Sequence, residues 1–200
     1  MPLIPVDAGL VVFLRVAEKG KVKTRLAATL GHAQALDVYK NLVSLTLDIV
    51  TRSGIPTYLF YAEGLPPANE RDDRFSYHIQ VTGDLGSRMA DALSFVLTLH
   101  QKALIIGSDC PGLTPEILRE GCRSLDENDI VLGPAGDGGY YLLGCREVYP
   151  VLFENIKWST PSVLVHTIEK IREANLSFRL MELLHDIDTA EDWIRFCGQR

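Results

Sequence analysis

The chain has 200 residues, of which 46% are hydrophobic and 23% are charged, and its formal net charge is −6 at pH 7. This composition is typical of a soluble globular protein, and the length suits a single domain spanning residues 1–200. The acidic net charge argues against nucleic acid as a partner. The sequence shows no signal-like start and no apolar run long enough to cross a bilayer. We therefore expect a cytoplasmic protein without a membrane partner.

The first predicted strand leads directly into a cationic loop. Residues 11–14 form an apolar run with β-branched residues that is typical of a strand buried on both faces. Around Gly20, which favours a tight turn, cations occupy alternate positions of the loop: Lys19, Lys21, Lys23 and Arg25. An extended backbone would place all four side chains on one side. Because Lys and Arg hold phosphate groups, the loop is either a phosphate-binding loop or a solvated basic turn.

The remaining chain alternates between predicted helices and strands. We predict a helical turn at 26–30 and helices at 32–53, after the segment 83–88 to about residue 100, from Pro115 onward, at 160–174 and from 189 onward. We predict strands at 56–62, 75–81, 103–107, 129–133, 140–145 and 178–184. Thr114 and Thr160, each followed by proline, and Thr189, followed by Asp192, are predicted helix caps. Alternating polarity in 75–81 predicts an edge strand with one exposed face. The fold class is therefore α/β, with a mostly parallel, mixed sheet and helices on both faces.

Charged residues recur where predicted strands end. The basic loop follows the first strand, Asp109 follows the strand at 103–107, and Asp137 follows the strand at 129–133. Asp186 and Asp188 follow the last strand. Open α/β sheets bind ligands at the carboxyl ends of their strands, and carboxylates together with phosphates are the donors that Mg²⁺ or Mn²⁺ takes. The pattern predicts a divalent cation bridging a phosphorylated ligand.

Several common motifs are missing from these positions. The segment Gly20–Thr24 lacks the first glycine of a P-loop, and no G-x-G-x-x-G follows the first strand. No G-x-S-x-G nucleophile elbow is present. These absences argue against a P-loop NTPase, a nicotinamide-dependent enzyme and an α/β-hydrolase.

Six motifs give the chain a family resemblance. They are GKVKTRL (20–26), GDLGSRM (83–89), GSDCPGLT (107–114), GPAGDGGYY (133–141), WSTP (158–161) and DIDT (186–189). In this order they resemble the glycosyltransferase-A-type nucleotide-diphospho-sugar transferases, and more closely the bacterial DUF2064 branch that is often labelled cofC-like glycosyltransferases. The resemblance implies a Rossmann-like nucleotide-diphospho-sugar transferase fold.

The resemblance also implies roles for individual residues. The nucleotide side would comprise Arg15, Gly20, Lys21, Lys23, Thr24, Arg25, Gly83, Asp84 and Arg88. The acceptor side would comprise Asp137, Gly138, Gly139, Tyr140 and Trp158. Asp109 and Asp188 would bind a divalent metal, Mg²⁺ or Mn²⁺, and Asp109, Lys23 and Asp137 would form the catalytic set.

The function implied by the resemblance is metal-dependent glycosyl transfer to a small-molecule acceptor, with a nucleotide or nucleotide sugar bound at the carboxyl edge of the sheet. One departure favours an alternative, because Asp109 is followed by Cys110 and Pro111 and not by the second aspartate of Asp-x-Asp. That form is similar to nucleotidyltransferases, which move a nucleoside monophosphate from a triphosphate to a phosphorylated acceptor. A third alternative is a nucleotide-binding protein without catalysis. The sequence predicts no particular oligomeric state.

Structural roles compete with several of these functional ones. Asp109 could cap the following helix, and either Asp188 or Thr189 could cap the terminal one. Residues 136–139 could be a simple hairpin turn, and Trp158 could serve packing alone. Asp186 could bind metal or lie solvated in a loop. The four cysteines have no C-x-x-C spacing, which predicts reduced thiols, and Cys110 is expected to be a buried thiol and not a nucleophile.

Overall fold

Seven strands form one mixed sheet in the computed structural model, which describes residues 7–198. The strands are β1 Ala8–Leu14, β2 Thr57–Tyr61, β3 Ser76–Ile79, β4 Lys102–Ile106, β5 Ile130–Pro134, β6 Tyr140–Cys145 and β7 Phe178–Leu180. Their order across the sheet is β3-β2-β1-β4-β6-β5-β7. Only β6 runs against its neighbours β4 and β5, and the other pairings are parallel. The predicted α/β class with a mostly parallel, mixed sheet is confirmed.

Helices cover both faces of this sheet. They are α1 Thr24–Leu30, α2 His32–Ser53, α3 Leu85–Leu97, α4 Pro115–Ser124, α5 Val163–Glu173 and α6 Ala190–Gly198. One apolar cluster joins the sheet to α2 and α4, and a second joins it to α3 and α5. Within residues 7–198, no helix is both long and apolar enough to cross a membrane. The sheet is therefore buried between helices, which explains the apolar strands β1, β4 and β5.

Two predicted helix caps form as expected. Ile117 N donates to Thr114 Oγ1 at 3.3 Å at the start of α4, where Pro115 takes the first helical position. At the start of α6, Thr189 N donates to Asp192 Oδ2 at 2.9 Å and Asp192 N donates to Thr189 Oγ1 at 3.3 Å, a reciprocal capping arrangement. Because these threonines cap the helices, neither Asp109 nor Asp188 does. Both carboxylates are left for other partners.

Two local predictions were wrong. The helix α5 begins after Ser162 without a side-chain cap, because Thr160 Oγ1 instead donates to Lys157 O at 2.7 Å. Strand β3 is an edge strand as predicted, but its faces are not cleanly divided: Ile79 is 57% exposed, whereas His78 stacks on Phe60 with 4.8 Å between ring centroids. Aromatic packing against β2 therefore outweighs the polarity of the histidine.

Strand directions bring the chemistry-bearing loops together. Strands β1 and β4 are parallel neighbours, so Arg15 and Asp109 follow strands that end at the same edge. Strand β6 is antiparallel to β4 and β5, which places its first residue, Tyr140, at that edge as well. The edge is the one where open α/β sheets bind ligands.

Candidate functional site

A cleft of about 420 Å³ lies at the carboxyl edge of the sheet. From the predicted site, its lining includes Arg15, Arg88, Asp109, Asp137, Gly139, Tyr140, Trp158 and Asp188. A smaller pocket of about 270 Å³ is lined by Arg15, Lys21, Val22, Lys23, Thr24, Arg25, Tyr39, Asp109 and Asp188. The two share Arg15, Tyr39, Asp109 and Asp188, so they form a single continuous site. We call them the large cleft and the basic pocket.

Lys23 lies at the junction of the large cleft and the basic pocket. Its Nζ is 2.8 Å from Asp109 Oδ1 and 3.1 Å from Asp188 Oδ1, and it donates a 2.6 Å hydrogen bond to Ile187 O. The side chain is only 4% exposed. Burial by itself would lower the lysine pKa, but the charges of Asp109 and Asp188 outweigh it and the pKa is raised. Lys23 is therefore a charged ammonium that links the end of β4 to the segment before α6.

The predicted one-sided row of cations is wrong, because the loop is not extended. Residues 19–22 form a turn, Gly20 has φ 86°, and Lys23 has left-handed dihedrals of 48° and 47°. These dihedrals turn Lys23 inward, whereas Lys21 is exposed and pairs with Glu18 at 2.7 Å. Arg25 is also exposed, with its Nη1 3.8 Å from Asp188 Oδ2. The turn separates a buried cation from two outer cations that border the basic pocket.

Four aspartates concentrate negative charge at this edge. Asp186 is half-buried, and its burial together with the charges of Asp109, Asp137 and Asp188 raises its pKa to about 7, against the opposing effect of Lys23. Asp186 is thus not a solvated loop residue. Neighbouring carboxylates that hinder one another's ionisation are stabilised by an added cation. This electrostatic setting fits a divalent cation.

The carboxylates do not form a complete metal cage. Within residues 7–198, no group of three or more His, Cys, Asp or Glu side chains is arranged to hold a metal ion. Mg²⁺ typically takes one or two carboxylates and completes its shell with water and substrate phosphates. Asp109 and Asp188, 42% and 47% exposed, fit that pattern as a pair beside the basic pocket.

Tyr39 is a site residue that the sequence analysis missed. Its hydroxyl accepts from Arg15 N at 2.8 Å and donates to Arg15 O at 2.9 Å, and the residue is 5% exposed. In the sequence, Tyr39 lies at a position where the helical periodicity of 32–53 predicts only the apolar face of a helix. Its hydroxyl was the available signal, because a buried phenol finds hydrogen-bond partners. Tyr39 fixes the backbone where β1 turns into the cationic loop.

The segment 135–139 is a hairpin turn and also part of the large cleft. Ala135 N donates to Gly139 O at 3.0 Å, Gly138 N donates to Ala135 O at 3.1 Å, and Gly139 N donates to Asp137 Oδ1 at 2.9 Å. The turn presents Asp137 and Gly139 to the large cleft. Gly138 does not line it, because its backbone packs against Pro161. The structural and functional interpretations of this turn are compatible.

Trp158 packs tightly and lines the large cleft at the same time. A Cβ placed on Gly86 would lie 2.6 Å from Trp158 Cζ2, so the indole rests directly on the backbone of α3. Among the described residues, Trp158 Nε1 is a buried donor without a hydrogen-bond partner. The packing interpretation of Trp158 therefore holds, and one edge of the ring remains on the cleft wall.

The motif at 83–89 contributes one residue of its predicted set to the site. Arg88 lines the large cleft and its Nε donates to Gly83 O at 3.0 Å. Asp84 instead caps α3, since its Oδ1 accepts from Ser87 N at 2.8 Å and from Ser87 Oγ at 2.7 Å. Neither Gly83 nor Asp84 lines the large cleft or the basic pocket, and Gly20 lines neither. Their predicted contact with nucleotide remains a prediction.

Several other cleft residues had no assigned role. They include Phe13, Gln80, Met89, Ser108 and Ser159, and Thr160, predicted only as a helix cap, also lines the large cleft. Ser159 and Thr160 belong to the WSTP motif, which was a usable signal, and Ser159 has a left-handed φ of 61°. Gln80 had no sequence signal, because it reaches the site only through the pairing of β3 with β2.

Solved structures share this fold. A crystal structure from Desulfovibrio desulfuricans G20, provisionally named a nucleotide-diphospho-sugar transferase, is 30% identical, covers 94% of this chain and 84% of its own, and has a TM-score of 0.88. Rv0371c of Mycobacterium tuberculosis H37Rv, in complex with manganese, is 16% identical over 96% and 98% of the two chains, with a TM-score of 0.58. The inositol-1-phosphate CTP transferase of T. maritima is 17% identical over 92% and 90%, also with a TM-score of 0.58.

Sequence comparison adds the family. No functionally curated protein matches the chain. The sequence model of DUF2064, described as an uncharacterized protein conserved in bacteria, matches residues 45–160, more than half of the chain. The match includes Arg88, Asp109, Asp137 and Trp158, and the Desulfovibrio structure is similar over 94% of this chain. The chain therefore belongs to the DUF2064 family and has the nucleotide-diphospho-sugar transferase fold.

Proposed function

We propose that this protein is a divalent-metal-dependent glycosyltransferase that uses a nucleotide sugar. The observation that carries the proposal is the junction at Lys23, where a cationic pocket and paired carboxylates meet in one cleft at the carboxyl edge of the sheet. A nucleotide sugar needs this combination, because its diphosphate carries negative charge while its sugar must reach an acceptor.

The basic pocket is the proposed diphosphate site. Lys21, Arg25 and Arg15 border it, and Thr24 adds a hydroxyl. Arg15 is exposed, but its backbone is held by Tyr39. Asp109 and Asp188 would hold a divalent cation against the phosphates. The cation would stabilise the negative charge that develops on the departing nucleoside diphosphate.

The large cleft is the proposed sugar and acceptor site. Tyr140, Tyr141 and Trp158 provide aromatic wall, and Asp137 provides an exposed carboxylate at the hairpin. In glycosyl transfer, an acceptor hydroxyl forms a bond to the anomeric carbon as the bond to the diphosphate breaks. In this proposal, Asp137 would accept the hydroxyl proton as general base. The 30% identical Desulfovibrio protein is provisionally named a nucleotide-diphospho-sugar transferase, and this name supports glycosyl transfer as the class of reaction.

Nucleotidyl transfer is the second candidate, and Cys110 favours it. The residue after Asp109 in this chain is a buried thiol, 7% exposed, and burial raises its pKa to about 12. It therefore supplies no anionic ligand, and Pro111, at the position of the second aspartate of Asp-x-Asp, has no ionisable side chain. With the cation held by Asp109 and Asp188 alone, a phosphorylated acceptor could attack the α-phosphate of a triphosphate in the basic pocket, and pyrophosphate would leave.

A thermal-shift screen distinguishes these functions. We expect a nucleotide sugar at about 100 times its dissociation constant, with Mg²⁺ or Mn²⁺, to add about 2.7 kcal/mol of stability and to raise Tm by about 5–10 °C. Triphosphates and diphosphates are screened in parallel with and without metal, and the hits are assayed for release of nucleoside diphosphate or pyrophosphate. A response to triphosphates alone with pyrophosphate release would favour nucleotidyl transfer. Binding without turnover would indicate a nucleotide-binding protein, and no shift would refute the site.

Tyr39→Phe tests the positioning of Arg15. The change removes the hydroxyl that bonds both Arg15 N and Arg15 O, and we expect it to destabilise the fold by about 1–3 kcal/mol and to raise KM for the nucleotide more than it lowers kcat. Denaturant unfolding and steady-state kinetics measure the two effects. Tyr58→Phe is the matched control, since it removes a 2.8 Å contact with His100 Nε2 outside the site and should leave KM unchanged. An unaltered KM in Tyr39→Phe would restrict Tyr39 to a structural role.

A further inference from the structure

The ammonium group of Lys23 lies between the two carboxylates proposed to bind metal. It contacts Asp109 Oδ1 at 2.8 Å and Asp188 Oδ1 at 3.1 Å. We propose that Lys23 is a built-in competitor of the divalent cation: it holds the carboxylates in the ligand-free protein and leaves them when phosphates occupy the basic pocket, so metal and nucleotide bind cooperatively. This inference rests on the proposed function and concerns how that site is regulated.

Lys23 and the divalent cation compete for the same oxygens. Mg²⁺ binds oxygen ligands at about 2.0–2.1 Å, and a cation on Asp109 Oδ1 and Asp188 Oδ1 would displace the ammonium or be repelled by it at close range. Repulsion between a divalent and a monovalent cation is about twice that between two unit charges at the same distance. Lys23 is nearly fully buried, so solvent screens this repulsion poorly. The metal-free arrangement therefore opposes metal binding.

Lys23 has an alternative position within reach. The residue also lines the basic pocket, together with Lys21, Thr24 and Arg25. A lysine has a flexible four-carbon stem, and phosphate in that pocket would offer it a new anionic partner. Release of Asp109 and Asp188 would then leave two carboxylates, each more than 40% exposed, without their cation. Phosphate binding thus favours metal binding, and by linkage metal favours phosphate by the same factor.

The surrounding fold does not depend on Lys23 alone. Ile187 N donates to Asp109 O at 2.8 Å, which keeps the segment before α6 attached to the end of β4. Leu26, Ala27, Ile187 and Ala190 pack in one apolar cluster that joins α1, α2 and α6. These contacts remain when the ammonium moves, so the exchange needs a side-chain movement and no unfolding. They also make a neutral substitution at position 23 compatible with folding.

Mn²⁺ titration of Lys23→Met tests the exchange without measuring activity. Isothermal calorimetry or the electron paramagnetic resonance signal of free Mn²⁺ reports the affinity of the nucleotide-free protein. We expect Lys23→Met to bind Mn²⁺ at least about tenfold more tightly than the wild type, because the competing cation is gone. We also expect UDP, CDP or GDP, tested in turn, to increase Mn²⁺ affinity about tenfold more in the wild type than in the variant.

Lys102→Met is the matched control. Lys102 is a half-buried lysine that pairs with an aspartate, Asp126, outside the site, and its replacement should leave Mn²⁺ affinity unchanged. Circular dichroism and Tm establish that each variant is folded. Lys23→Gln, which can still donate to Ile187 O, replaces Lys23→Met if the methionine variant does not fold.

The possible failures are distinguishable. Equal or weaker Mn²⁺ binding by the neutral Lys23 variants would overturn the exchange. If the wild type still bound Mn²⁺ more tightly with nucleotide in that case, the proposed function would stand. Failure of the wild type to bind Mn²⁺ even with each diphosphate would overturn both the exchange and the metal-dependent function.

Discussion

Asp109→Asn is expected to lower turnover by at least about 10²–10³-fold while the protein remains folded. Asparagine keeps the size of the side chain and one oxygen, but it removes the negative charge that we propose holds metal beside the phosphates. Turnover is measured with the donor identified by the thermal-shift screen, at saturating metal. We expect a large loss of turnover because the interaction of Asp109 with the metal would stabilise charge that develops during the reaction.

The stability cost of Asp109→Asn should be smaller than for a fully buried ion pair. Breaking a buried ion pair typically costs about 3–5 kcal/mol of stability. Asp109 is 42% exposed, however, and in the variant Lys23 Nζ keeps its contacts with Asp188 Oδ1 at 3.1 Å and Ile187 O at 2.6 Å. We therefore expect about 1–2 kcal/mol in denaturant unfolding without metal. Asp126→Asn, which removes the partner of Lys102 outside the site, is the control and should keep full turnover. Retained turnover in Asp109→Asn would refute the metal-side role, and a loss above about 4 kcal/mol would make Asp109 a structural residue.

Gly138→Ala is expected to be among the most destabilising single-methyl changes in the chain. Gly138 has φ 88°, and an added Cβ would lie 2.1 Å from Pro161 O and 2.7 Å from Pro161 Cα. Backbone atoms cannot yield as the end of a flexible side chain can, so the hairpin must separate from residues 159–164. That movement also breaks the 2.9 Å bond from Leu164 N to Gly138 O. We expect a loss of about 3 kcal/mol or more in denaturant unfolding, with acceptor KM raised in the folded fraction.

Gly20→Ala separates backbone strain from steric overlap. Gly20 has nearly the same φ, 86°, but a Cβ there would meet nothing within 4 Å. It should therefore show only the strain of the left-handed backbone, about 1–2 kcal/mol. The difference between the two alanine variants measures the overlap with Pro161. If both variants lost the same free energy of unfolding, the hairpin would have adapted to the added methyl group. The contact with Pro161 would then not be the reason for glycine at position 138.

Much of the fold was predictable from short-range patterns. The boundaries of α2, the edge position of β3, the caps at Thr114 and Thr189, and the mixed α/β sheet follow from periodicity and capping, which act over a few residues. The same patterns placed Asp109 and Asp137 at strand ends. Parallel strands with helical crossovers bring those ends to one edge of the sheet, so the sequence is enough to indicate the general location of the candidate site.

The direction of each site side chain depended on the tertiary structure. Lys23 points inward because the loop turns at Gly20 and position 23 is left-handed, whereas the alternating pattern assumed an extended backbone. Its carbonyl partner Ile187 is 164 positions away, and Tyr39 is 24 positions from Arg15. Periodicity cannot report contacts at such separations, because they arise only when the packed elements bring distant segments together. Short-range patterns are enough to predict the fold and the sheet edge where the candidate site lies. Which cation contacts which carboxylate depends on turn dihedrals and long-range packing, so the packed structure is needed to establish those pairs.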